Sequence, residues 1–109
     1  MLINIKPISV NESWKGRRYK TDKYKKWRRD IQFLLPNKTI PEGKLSIEIT
    51  FGFSSASSDI DNALKSTLDA LNDKYDVNDN RYYRLIVTKS IVPKGKEFIK
   101  LQINTFENT

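Results

Sequence analysis

Between Lys44 and Phe53 the chain alternates strictly. Leu45, Ile47, Ile49, Phe51 and Phe53 fall on one side, and Lys44, Ser46, Glu48, Thr50 and Gly52 on the other. Successive side chains of a strand point to opposite faces, so this segment is a strand with one buried and one wet face. The buried face needs a partner layer, and two segments with helical spacing are available to supply it. In the first, Tyr24, Trp27, Ile31 and Leu35 recur at steps of three and four. Thr21 is its expected N-cap and Pro36 its stop. The second runs from about Asp59 to about Asn72, with Ile60, Leu64, Leu68 and Leu71 as its apolar stripe. Ser58 is its expected cap, with Asp61 at the third helical position.

Further strands are expected at Leu2–Lys6, Tyr82–Val92 and Glu97–Asn104. Pro93-Lys94-Gly95-Lys96 turns between the last two, and Asp73–Asn80 is read as a polar loop. The order β-α-β-α-β-β predicts an α+β fold with a small mixed or antiparallel sheet and two packed helices. The expected core is Leu45, Ile47, Ile49, Phe51, Leu64, Leu68, Leu71, Leu85, Val87, Leu101 and Ile103, with Trp27 and Ile31 packing the first helix onto the sheet. With 109 residues, no internal repeat and no linker, the chain is expected to form one domain over residues 1–109.

Composition excludes several chemistries. There is no cysteine and no histidine. Zinc fingers, Ser–His and Cys–His nucleophiles, and histidine-ligated metals are therefore ruled out. Carboxylates remain, and these suit hard ions such as Mg²⁺ or Mn²⁺. No apolar run approaches the length of a membrane span, no signal-peptide pattern opens the sequence, and no disulfide framework points to secretion, so a cytoplasmic protein is expected.

Charge is distributed unevenly. The net charge is +7, yet residues 1–38 carry +8 and residues 39–109 carry −1. Nine of the fifteen positions from Lys15 to Arg29 are basic, and Trp14, Tyr19, Tyr24 and Trp27 are interleaved with them. Such a stripe is suited to a phosphate backbone, but a charge run taken alone more often marks a solvated helix face over an aromatic core. Because Asp22 is the one acid among nine bases, the stripe favours an anionic partner; Lys15, Arg17, Arg18, Lys20, Lys25, Arg28 and Arg29 are the candidate contacts. A membrane surface would also attract it, but no long apolar helix face suits insertion.

Residues 58–79 show the reverse: six aspartates face two lysines. Asp61, Lys65 and Asp69 are spaced i, i+4, i+8 and share one ridge of the second helix, with Asp59 at its start. Grouped carboxylates repel one another unless a cation lies between them, and a divalent ion there would activate water beside a phosphate. The same residues also fit a plain helix start with a surface ion pair.

The phrase Asp59-x-Asp61-Asn62-x-x-Lys65, followed by Leu68-Asp69-Ala70-Leu71-Asn72 and an Asp79-containing loop before a strand, resembles the RusA-like Holliday junction resolvases. Lys6-Pro7-Ile8-Ser9-Val10-Asn11 and the basic helix resemble that family's N-terminal third. The resemblance implies a small homodimeric, Mg²⁺-dependent endonuclease, with Mn²⁺ as a substitute, that makes paired symmetric nicks in four-way DNA junctions inside a bacterial or phage-infected cell. It implies Asp59 and Asp61 as paired metal ligands and Lys65 as the catalytic lysine. The family's third acid lies in an Asp-Asp pair before a strand. Here the pair reads Asp79-Asn80, and Asp79, the one carboxylate at that point, is assigned as catalytic residue and third metal ligand. The loop before Asp59, often basic in relatives, is Ser-rich here. A non-catalytic nucleic-acid-binding module of the same fold is the alternative, and an adaptor that meets a protein partner is a third reading.

Overall fold

The computed structural model describes residues 1–9, 14–15 and 19–107. Strands β1 (Leu2–Ile3), β4 (Leu45–Phe53), β5 (Tyr82–Ile91) and β6 (Phe98–Thr105) form one mixed sheet in the order β1-β6-β4-β5. Strands β2 (Trp14–Lys15) and β3 (Tyr19–Lys20) form a separate two-residue hairpin. Helix α1 (Asp22–Leu34) follows β3, and helix α2 (Ile60–Tyr75) connects the parallel pair β4 and β5. The α+β architecture with two helices is the one expected, and the sheet is mixed: β6 runs antiparallel to both β4 and β1.

The strictly alternating segment is the inner strand. Leu45, Ile47, Ile49 and Phe51 are wholly buried, and Ile99, Leu101 and Ile103 of β6 extend that face. Helix α1 covers it with Tyr24, Trp27 and Ile31, and Thr21 caps the helix as expected, its Oγ1 accepting the Tyr24 N–H at 3.1 Å. The Trp27 indole donates to the Lys6 carbonyl at 2.9 Å and ties α1 to the segment after β1. On the wet face of β4 only glycine fits at position 52, because an added Cβ would overlap the ring of Phe98.

Several expectations are corrected. Strand β1 ends at Ile3 rather than Lys6, because the Ile5 N–H turns back onto the Ile3 carbonyl and leaves the ladder. Helix α2 starts one residue later than expected, with Asp59 rather than Ser58 at its N-cap and no side-chain capping bond. It also runs on to Tyr75, whose hydroxyl donates to the Pro36 carbonyl at 2.6 Å, and it ends on Asp76 in the left-handed conformation at φ 52°. Its buried stripe is Ala63, Ser66, Thr67, Ala70 and Leu71, so of the expected line only Leu71 is fully buried. Small side chains let the helix sit close to the sheet, which rolls Leu64 and Leu68 to a half-buried flank and Ile60 to the surface. As a result Leu85, expected in the core, is 43% exposed: β5 is an edge strand that α2 does not fully roof.

Candidate active site and nucleic-acid interface

The crossover from β4 to α2 delivers Asp59 and Asp61 to the carboxyl end of the parallel strands, where open α/β sheets commonly hold ligands. The Ser-rich loop between them is pinned by Lys89 of β5, whose Nζ donates to the Ala56 and Ser58 carbonyls at 2.8 Å each. Asn62 Nδ2 reaches Asp59 Oδ2 at 3.4 Å. Both carboxylates are exposed, and among the described residues neither has an ion-pair partner. Their oxygens are the hard donors a divalent cation takes, so the chemistry of this pair fits such an ion.

One turn further along the same ridge, Lys65 donates to Asp69 at 2.7 Å. That bond to Asp69, with lesser help from the nearby charge of Asp79, raises the Lys65 pKa above its ordinary value.

Asp79 lies elsewhere. It opens a single 3-10 turn, Asp79–Arg81, capped by Asn78, whose Oδ1 accepts the Asn80 N–H at 3.0 Å. Arg81 anchors the turn by donating to the Gly43 carbonyl at 3.0 Å and to that of Pro41. Asp79 Oδ1 accepts from Asn72 Nδ2 at 2.5 Å, while Asn72 Oδ1 accepts from the Tyr82 hydroxyl at 2.7 Å. Burial, together with the Asp79 charge, pushes the Tyr82 hydroxyl up to about 12. Asn72 is eleven residues beyond Asp61 on α2, about 16 Å at the helical rise. Asp79 is thus tied to a point well along α2 from Asp61, close enough for its charge to act on Lys65, and no group of three carboxylates suited to a metal ion occurs among the described residues.

Four of the seven predicted DNA contacts converge. Lys20, Lys25, Arg28 and Arg29, with Tyr24, Gln32 and Asp73, line a cleft of about 520 Å³ on the exposed face of α1. Lys15 lies on β2, and Arg17 and Arg18 are outside the described residues. Helix α1 meets α2 beside this cleft, where Gln32 Nε2 donates to the Ala70 carbonyl at 2.8 Å. Sequence reasoning missed the supporting residues Asn72, Tyr82, Lys89 and Gln32. Their partners come from other elements, and spacing along the chain gives no signal for such pairs.

A family model, Endodeoxyribonuclease RusA, matches residues 6–103, nearly the whole chain. The chain belongs to the RusA endodeoxyribonuclease family. No curated protein matches it. For a RusA-family chain the layout is informative: the paired aspartates, the lysine one turn on and the basic cleft all border α2. No helix among the described residues is long and apolar enough to cross a membrane.

Proposed function

We propose that this protein is a divalent-metal-dependent endonuclease that resolves four-way DNA junctions as a homodimer, with each active site shared between two chains. The observation that carries the reading is the exposed Asp59–Asp61 pair at the start of α2, followed one turn later by Lys65 on the same ridge, in a RusA-family chain.

The helical separation of Asp61 from Asp79 supports the shared site. Ile60, Leu85 and Ile91 are exposed, and Leu64, Leu68 and Val87 are half-buried, along the open side of β5 and the flank of α2. A two-fold dimer that covers this strip with α2 antiparallel to its copy would set Asp59 and Asp61 towards the partner's Asp79. The strip is the kind of contiguous apolar surface that monomers rarely leave open.

Asp59 and Asp61, with the partner's Asp79, would hold the ion, which when bound supplies an activated water and neutralises charge at the phosphate. Lys65, held in place by Asp69, steadies the negative charge that develops on the phosphoryl oxygens. Asn72 and Tyr82 hold the Asp79 carboxylate in one orientation, and Lys89 fixes the loop that aims Asp59. The cleft on α1 binds the DNA backbone by counterion release, so affinity falls steeply with salt.

The test is nicking of a synthetic four-way junction in Mg²⁺ and in EDTA, with Asp61→Asn beside the wild type. The expected result is metal-dependent cutting by the wild type and junction binding without cutting by the variant. Cutting by Asp61→Asn at the wild-type rate removes that residue from the mechanism. Salt-sensitive binding with no cutting in any metal would assign a non-catalytic module instead.

A further inference from the structure

The ridge of α2 that carries Asp61, Lys65 and Asp69 continues, at the same spacing, to Asp73. Asp73 does not pair along its own helix; its Oδ2 accepts from Arg28 Nη2 of α1 at 3.0 Å. Arg28 is otherwise fixed. Its Nη1 donates to the Tyr24 hydroxyl at 2.9 Å, its guanidinium lies 5.8 Å from the centre of the Tyr24 ring, and its Nε is buried with no hydrogen-bond partner. The side chain of Arg28 is 20% exposed, and that of Asp73 is 66% exposed. Within the cleft, Asp73 is the lone anion among four cations.

We propose that Asp73 occupies, in the free protein, the seat of a DNA backbone phosphate on Arg28, and that the phosphate displaces it on binding. The inference rests on the DNA-binding reading above and identifies the ligand at one point of that surface. Three features support it. A carboxylate and a phosphate present similar acceptor oxygens to a guanidinium, and both take its fork of donors. Arg28 is oriented by Tyr24 and by burial, so Asp73 is not needed to position it. Asp73 is well exposed and on a long-range contact between helices, so it can swing out at little cost. Asp73 thus lowers the affinity of Arg28 for the backbone by the cost of its own displacement, which a phosphate that also meets Lys20, Lys25 and Arg29 offsets.

The sign of one substitution decides the matter. In EDTA, with a fluorescent four-way junction as probe and anisotropy as readout, Asp73→Asn is expected to bind about two- to fivefold tighter than wild type, the range for releasing one exposed charge contact. Its log–log salt dependence should steepen by up to about one, because no freed carboxylate recaptures a cation. Arg28→Gln should bind more weakly, with a slope shallower by about one, and Asp73→Asn should add nothing in that background. Weaker or unchanged binding by Asp73→Asn overturns the proposal, because Asp73 would then orient Arg28 or be inert. Equal tightening in the Arg28→Gln background also overturns it, because Asp73 would then act as bulk charge. If Arg28→Gln does not fold, Arg28→Lys, which keeps the charge and lacks the fork, takes its place with a reduced Asp73 effect expected. Absence of junction binding by the wild type at low salt fails the DNA reading itself, an outcome distinct from tight binding that ignores Asp73.

Discussion

Mixing two inactive variants tests the shared active site. Asp61→Asn removes an acid at the start of α2, and Asp79→Asn removes the acid held by Asn72 near its end. Asp79 is held by Asn72, about 16 Å along the helix from Asp61, and no group of three carboxylates suited to a metal ion occurs among the described residues of one chain. Each variant alone is expected to lose cutting and to keep junction binding, because neither residue lines the basic cleft. In a mixed dimer one site carries both substitutions and the other carries neither. With equal mixing and free exchange of subunits, half the dimers are mixed, so about a quarter of the wild-type sites return. Those dimers have one working site, so the product is a single nick rather than a paired cut. The assay is denaturing gel analysis of end-labelled junction after co-incubation, with subunit exchange verified by a tagged copy. If exchange is complete and no nicking returns, the site is built within one chain and the geometric reasoning is wrong. Activity of Asp79→Asn by itself refutes the role of that residue.

Two further outcomes follow from the same structure. Leu85→Glu is expected to leave the chain folded within about 0.5 kcal/mol, since the side chain is 43% exposed, but to yield monomers by light scattering and to lose nicking; an unchanged dimer would remove this strip from the interface. Tyr82 bears on alkaline stability. Its hydroxyl is raised to about 12 in the folded chain, against about 10 when unfolded, so the stabilising contribution is intact below pH ~10 and is lost as pH rises towards ~12. Because the group is half exposed, the full shift is discounted to a contribution on the order of 1 kcal/mol. Urea unfolding at about pH 9 and about pH 11 should show wild type losing that much more stability than Tyr82→Phe, and parallel losses would refute the assignment.

Much of the fold was legible because it follows from local periodicity. The alternation at 45–53 required a two-faced strand, and it is the inner strand of the sheet. Thr21 and Pro36 bounded α1 by capping and by the missing N–H of proline. The basic stripe and the Asp59, Asp61, Lys65 spacing could be read because charge and helical step are properties of neighbours in the chain. The roll of α2 could not be read. Periodicity finds an apolar stripe, but Ala63, Ser66, Thr67 and Ala70 take most of the buried positions because small side chains let backbones approach, a matter of fit between surfaces rather than of hydropathy. The exposure of Leu85 follows from that roll and from the edge position of β5, which only strand order determines.

The sequence by itself determined the chemical inventory of this protein: no histidine or cysteine, an aspartate pair with a lysine one helical turn on, and a cationic first third. The tertiary structure decided which of these groups meet. It placed Asp79 against Asn72 at the far end of α2, drew Arg28 across to Asp73, and left an apolar flank open beside β5. The physical reason is that a helix turns spacing along the chain into a fixed ridge, whereas contacts between elements depend on how closely two surfaces pack, which no single segment encodes.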